Sequence, residues 1–338
     1  MPTGHQDEPF YRILVSPFKI WHFLLTIYFY KQVDFMTKST ITQSQKRFEE
    51  SVGKLFTLSD SNLHQCVFIT SSTDIGVVRN GGRNGARLAP QAFLSTLKKF
   101  TLVEKLMNYR FINTEVSNPK EEEKDFKHAQ KQEAERITEV IQSNPSSTFI
   151  HIGGGHDHIY PLMRALSDTF QKLVVINIDA HADTRTDPEN HSGTPFRQFG
   201  DEFPGKLKLF QIGLNSFANS FSTLEPIGET KMNVLWINQL NPENLKNLFH
   251  TIQAEIDEAT AVIFSLDTDA LNGGIMPGVS AVNPLGLNLP QLCEIWGYYK
   301  NLKISHRPIV GIYELNPVYD TLAGLSMRTI GSFVFELL

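Results

Sequence analysis

The chain has 338 residues, 41% of them hydrophobic and 20% charged, with 31 basic side chains against 36 acidic ones and a net charge of −5. Such a composition is that of an ordinary globular protein, long enough for one large α/β domain or two smaller ones, and it lacks the basic field a nucleic-acid partner would need. Its two cysteines, Cys66 and Cys293, have no CxxC spacing, so they build no disulfide framework and read as packing residues in a reducing cytosol.

At the amino terminus, Ile20–Tyr30 is an apolar run between Lys19 and Lys31. A bilayer span needs roughly 20 apolar residues, so no stable membrane span is expected, and no small-residue cleavage site follows it. Met36 opens a new polar segment. Residues 1–35 therefore read as an extension that adds nothing to the fold, and 36–338 as a single domain. From residue 60 the chain alternates apolar and amphipathic runs. Strands are expected at Cys66–Thr70, Arg110–Val116, Thr148–Ile152, Leu173–Ile178, Lys208–Ile212, Val234–Ile237, Ala261–Leu266 and Ile309–Leu315. Most are rich in Val, Ile and Phe, as strands covered on both faces are. Helices are expected at Pro90–Leu106, Lys120–Gln142, Pro161–Phe170, Pro242–Asp257 and Pro290–Lys300, the first of them opening on a proline suited to a first helical turn. The βαβ rhythm predicts a mainly parallel sheet between helix layers. Ligands collect beyond the carboxyl ends of the strands in such sheets.

The chemically suggestive motifs sit at that edge. Asp179-Ala-His181-Ala-Asp183 leaves the strand ending at Ile178, and alternate residues of extended chain point the same way. Asp267-Thr-Asp269 repeats the pattern after Leu266, and Gly153-Gly154-Gly155 delivers His156 through a crowded turn. Carboxylates and imidazoles gathered in this way repel or stay unpaired unless a cation holds them. Two divalent ions sharing bridging carboxylates, with water as nucleophile, are the simplest answer. Oxygen and imidazole donors without thiolate suit Mn²⁺, with Zn²⁺, Co²⁺ and Fe²⁺ left open. GxxxxGK[ST] and GxGxxG are absent, so the glycines are no phosphate loop. His158 reads as a bystander, and Asp157 as a support for a ligand or a helix cap.

Three further segments carry a functional and a bland reading. The stretch 74–87 is either a flexible surface loop or a source of arginines for an anionic substrate. Ser192-Gly193-Thr194-Pro195-Phe196-Arg197 is either a plain turn or part of the site. Glu314, at the end of the last strand, pairs with an amidinium or guanidinium or serves as a helix cap or surface acid. The absence of GxSxG, HExxH and an EF-hand loop leaves serine-hydrolase and zincin readings little weight.

Together GGGH, DAHAD, DTD and ELNP, in this order over roughly residues 66–335, resemble the ureohydrolase (arginase) superfamily. RNGGRNGAR, GGGH where arginases tend to have GGDH, SGTPFRQ and PGVSA resemble its formimidoylglutamase branch most. The chain departs from arginases at Ser192, where they carry a proton-shuttling histidine; His191 stands one residue earlier. Ala89-Pro90 replaces a usual Gly-Pro. The resemblance implies a three-layer α/β/α fold with a central sheet of about eight parallel strands. It implies two Mn²⁺ per chain, held by His156, Asp179, His181, Asp183, Asp267 and Asp269. Asp179 and Asp267 would bridge, His156 and Asp183 would complete one site, and His181 and Asp269 the other. Glu314 would hold the amidine, with Asp183 or Asp269 assisting proton transfer. Arg185, Arg83 and Ser192, with Arg79 or Arg197 at the rim, would receive a small anionic substrate. The implied reaction is hydrolysis of N-formimidoyl-L-glutamate to glutamate and formamide in histidine breakdown, by a cytoplasmic homo-oligomer. The alternatives are hydrolysis of arginine, agmatine or a guanidino acid, and a catalytically silent metal-binding scaffold.

Overall fold

The computed structural model describes residues 42–228 and 232–338, so the apolar run Ile20–Tyr30 and the boundary at Met36 lie outside the described residues. The chain divides into two units, Met1–Glu50 and Ser51–Leu338. In the first, residues 42–49 are helical. The second contains the sheet.

Eight strands form one sheet: β1 (His64–Ser71), β2 (Tyr109–Glu115), β3 (Thr148–Gly153), β4 (Lys172–Ile178), β5 (Leu207–Leu214), β6 (Asn233–Trp236), β7 (Thr260–Asp267) and β8 (Ile309–Tyr313). Their order is β2-β1-β3-β8-β7-β4-β5-β6, and every pairing is parallel. All eight expected strands are present, displaced by a residue or two at their ends. The apolar text of the central strands has a direct cause. Every residue of β7 is buried, and β4 turns Val174, Ile176 and Ile178 into one core layer and Leu173 and Val175 into the other. Helices Ala89–Leu97, Pro242–Ala254, Leu289–Lys300 and Leu325–Leu337 cover the first face, while Phe126–Ser143, Ile159–Ser167 and Pro195–Glu202 cover the second. This is the three-layer arrangement that parallel crossovers impose.

The helices depart from expectation in instructive places. The segment expected at Pro90–Leu106 ends at Leu97 and resumes only as a 3₁₀ turn at Glu104–Leu106. The charged segment Lys120–Gln142 breaks at Asp125, which takes an extended conformation and caps the following helix by accepting from the His128 N–H at 3.0 Å. Helices at Ile75–Arg79, Pro195–Glu202 and Leu325–Leu337 were not expected. The last strand stops at Tyr313, because Glu314 adopts φ 63 and leaves the β region. No helix among the described residues is long and apolar enough to cross a membrane.

Candidate metal centre

Strands β3, β8, β7 and β4 are consecutive in the sheet, so GGGH, Glu314, DTD and DAHAD emerge side by side at its carboxyl edge. Close approach explains the glycines. A Cβ at Gly154 would lie 1.7 Å from the Thr73 carbonyl oxygen, and one at Gly155 would lie 2.3 Å from Asp157 Oδ1. Asp183 (φ 52) and Glu314 (φ 63) are the non-glycine residues with positive φ among those described. Left-handed backbone at such residues costs on the order of 1–3 kcal/mol and persists where surrounding structure over-determines it, often at functional sites.

The two aspartate motifs fold identically at their first residue. Asp179 Oδ1 accepts from the His181 N–H at 2.7 Å, and Asp267 Oδ1 accepts from the Asp269 N–H at 2.9 Å. Each turn pins one carboxylate oxygen and leaves Oδ2 facing inward. His156 Nδ1 lies 3.1 Å from Asp179 Oδ2, 2.8 Å from Asp183 Oδ2 and 3.2 Å from Asp267 Oδ2. It nevertheless finds no hydrogen-bond partner among the described residues, because none of these oxygens lies along a proper N–H direction. The ring is fixed from behind by Ser265 Oγ at 2.9 Å from Nε2 and by stacking on Tyr313 at 5.0 Å. His181 Nδ1 lies 3.2 Å from Asp269 Oδ2 and 3.7 Å from Asp179 Oδ1. Asn177 Nδ2 donates to Asp179 Oδ2 at 3.1 Å and to Gln211 at 2.8 Å. Two donor groups result, His156–Asp179–Asp183–Asp267 and Asp179–His181–Asp269, with Asp179 common to both. An orphaned imidazole nitrogen encircled by carboxylates, all without thiolate, fits hard or borderline divalent cations.

The electrostatics carry the same message. Burial pushes the Asp179 carboxyl up to about 6, with Asp183 adding to the push and His156 opposing it. Burial and then Asp269 hold Asp267 well above the carboxylate range. Burial and Asp269 raise Glu314 to about 8. Asp269 drives His181 up to about 11 against the effect of burial. Burial disfavours the His156 cation, yet the carboxylates of Asp179, Asp183 and Asp267 close to Nδ1 leave it well above its ordinary value. A divalent cation removes the need for these protons.

Above this floor is a cleft of about 300 Å³, lined by His181, Asp183, Asp267, Asp269 and Glu314 below and by Asn80, Arg83, Arg185, Ser192 and Ser280 around its sides. Arg185 donates from Nη1 to Asn80 Oδ1 at 2.8 Å, and Asn80 Nδ2 donates to Ser192 Oγ at 3.1 Å. Arg185 makes no ion pair among the described residues; Asp187 instead contacts His191 Nε2 at 2.8 Å. His191 accepts from the Gly193 N–H at Nδ1, 3.0 Å away, so both ring nitrogens are engaged and the side chain is buried. Arg83 lines the cleft, but its guanidinium donates to the carbonyls of Ser280 at 2.9 Å and Val279 at 2.6 Å and lies over Tyr319. Arg79 and Arg197 are not among the lining residues. Arg79 contacts Glu189 and Phe126, and Arg197 donates to the carbonyls of Thr184, Glu225 and Pro226. Glu314 is a buried acid of the cleft, accepting from the His156 N–H at 3.1 Å, and neither a cap nor a surface acid.

The stretch 74–87 is no loose loop. Asp74 Oδ2 accepts from the Gly85 N–H at 2.6 Å, and Asn316 Nδ2 donates to the carbonyls of Arg83 and Asn84 at 3.1 Å. Asn80 and Ser280 were missed as candidate contacts. Both lay inside motifs already noted for their arginines and glycines, and nothing in the text singles out the residue that faces the cleft.

Residues 64–338 match the family model described as Arginase family. A formimidoylglutamase of Photorhabdus laumondii is 28% identical over 283 residues, covering 81% of this chain and 85% of its own. Among solved structures, the formimidoylglutamase of Bacillus subtilis superposes with a TM-score of 0.72 at 19% identity, covering 83% of this chain and 88% of that one. The Trypanosoma cruzi formiminoglutamase with Mn²⁺ superposes with a TM-score of 0.67 at 22% identity, covering 84% and 96%. A sheet of eight parallel strands, acids and histidines gathered at its carboxyl edge and a family match over four-fifths of the sequence lead to one conclusion: the chain belongs to the arginase family.

Proposed function

We propose that this arginase-family hydrolase cleaves the carbon–nitrogen bond of N-formimidoyl-L-glutamate, releasing glutamate and formamide. The observation that carries the reading is the pairing of two features in one cleft: the orphaned His156 Nδ1 among three carboxylates on the floor, and Arg185 at the side with no acidic partner among the described residues. Relatives named formimidoylglutamase, one of them solved with Mn²⁺, support the choice of substrate and metal.

His156, Asp179, Asp183 and Asp267 would hold one Mn²⁺, and Asp179, His181 and Asp269, with Asp267 beside them, the other. When bound, such a pair supplies a lowered pKa for water and Lewis-acid polarisation of the amidine. The protein supplies the rest. Glu314, anchored by the His156 N–H, offers a carboxylate to the amidinium and so orients the reacting carbon. Asp183 and Asp269 belong to the two donor groups and also line the cleft, where they could carry a proton to the leaving nitrogen. Arg185, held by Asn80, offers a planar fork to a substrate carboxylate. Ser192 adds a hydroxyl on the same side. With both its nitrogens engaged, His191 is a brace of the loop and not a proton shuttle. The free thiols of Cys66 and Cys293 accord with a reducing cytoplasm, and the family relation extends the proposal to a homo-oligomer in histidine breakdown.

Agmatine hydrolysis is the rival. Agmatine has no carboxylate and gains nothing from Arg185. Manganese-loaded protein assayed with formimidoylglutamate, arginine and agmatine should show strong preference for the first. Faster turnover of agmatine would overturn the substrate assignment.

A further inference from the structure

Behind the centre lies a second group of buried ionisable side chains that the proposed reaction does not use. The helix Pro119–Lys124 turns Glu122 inward, and the 3₁₀ turn after β3 places Asp157 and His158 beside it. Glu122, Asp157 and His158 are 3%, 1% and 1% exposed. Each offers a donor atom within 4.8 Å of the other two. Both oxygens of Asp157 and Oε1 of Glu122 find no hydrogen-bond partner among the described residues. A buried carboxylate left unpaired costs several kcal/mol, so native proteins neutralise it, pair it or give it a cation.

The surroundings are built around these atoms. Asp157 is wedged where only glycine fits: a Cβ on Gly76 would lie 2.1 Å from Asp157 Oδ1, and one on Gly155 would lie 2.3 Å from it. His158 is oriented as a metal-binding imidazole is. Its Nδ1 lies 2.9 Å from Glu133 Oε1, and Glu133 is held in turn by Ser71 Oγ at 2.6 Å. A carboxylate bound to one ring nitrogen fixes the tautomer and leaves the other nitrogen's lone pair for a cation. That other nitrogen, Nε2, has the Thr73 hydroxyl as its hydrogen-bond partner at 3.0 Å, a contact that a bound cation would replace, and lies 4.0 Å from Asp157 Oδ2.

We propose that Glu122, Asp157 and His158 form a third cation site, closed to solvent and distinct from the binuclear centre, that takes a divalent first-row transition ion. One imidazole nitrogen and two carboxylates, with the Thr73 hydroxyl adjacent, suit Zn²⁺ or Mn²⁺. Because all three ligands are buried, the site is structural. It ties the short helix Pro119–Lys124 to the turn that presents His156.

The test is an ion count by elemental analysis on full-length protein stripped of metal, then equilibrated with Mn²⁺ alone or Zn²⁺ alone. The wild type should hold one ion more than Glu122→Gln and Asp157→Asn, both near-isosteric changes outside the set of six centre ligands. The double variant Asp179→Ala/Asp267→Ala, stripped of both bridging acids, should retain one ion. Equal counts in wild type, Glu122→Gln and Asp157→Asn would overturn the third site and leave the binuclear reading intact, as would a double variant holding none. Should Glu122→Gln fail to fold, the double variant decides alone. A double variant that keeps the full wild-type count would overturn the binuclear assignment instead.

Discussion

Replacing Arg185 by alanine isolates the recognition element of the proposed substrate from the metal chemistry. The guanidinium lines the cleft, donates once to Asn80 at 2.8 Å and has no ion pair among the described residues, so its remaining donors are available to a carboxylate. Charge-assisted hydrogen bonds contribute roughly 1.5–3 kcal/mol. Arg185 is exposed, and solvent screening places it at the lower end, about 1.5 kcal/mol, or about tenfold in kcat/KM. The loss should fall mainly on KM, because the carboxylate contact exists in ground and transition states alike. It should shrink as salt is raised. Arg185→Lys should recover part of the loss, since an ammonium brings charge without the fork. Asn80→Ala, which frees the guanidinium without removing it, should cost less than Arg185→Ala. The assay is steady-state kinetics on formimidoylglutamate with agmatine as control, on samples of matched metal content. If Arg185→Ala left kcat/KM for formimidoylglutamate unchanged, or depressed agmatine turnover equally, the recognition argument would fail.

Asp179→Ala and Asp267→Ala should each abolish turnover while preserving a cooperative melt, because Asp179 is common to both donor groups, Asp267 is proposed to bridge beside it, and neither change removes core packing; near-normal rates in either would refute the bridging assignment. Metal-free protein should lose stability as pH rises from about 4 to about 8. Asp179 and Glu314 have folded-state pKa values raised to about 6 and about 8, so the folded state binds more protons than the unfolded one across that window and the slope is negative. His181, raised to about 11, acts in the same direction above its unfolded value. Thermal melts of chelator-treated protein at several pH values check this, with a rise in Tm counting against it; added Mn²⁺ should flatten the dependence. A chain starting at Met36 should fold and keep its activity, since residues 1–35 carry no motif. Loss of the cooperative melt in that shortened chain would show that the removed segment supports the core.

How much was legible beforehand follows from which interactions are local. All eight strands could be read from the text because burial on both faces demands mostly apolar residues, and β7 has no residue facing water. The candidate ligands were legible for a related reason: acids and histidines directly after such strands have no solvent to turn to, and their order matches a known family. Elements whose cause is distant were not legible. The break at Asp125 depends on a side-chain cap and the early end of β8 on backbone twisted at Glu314, and the helix Pro195–Glu202 follows a segment that reads as a plain turn. The arginines show the same limit most clearly. Arg79, Arg83, Arg185 and Arg197 are equivalent as letters, yet carbonyls near residues 225 and 279 occupy Arg197 and Arg83, Glu189 and Phe126 hold Arg79, and only Arg185 is aimed into the cleft by a single asparagine. Residue type and strand context by themselves determined the fold class and the candidate metal ligands, because both rest on burial along the chain. Which charged groups line the cleft, and that Glu122 meets Asp157 and His158 out of water, was decided only when crossovers brought segments far apart in sequence against one another.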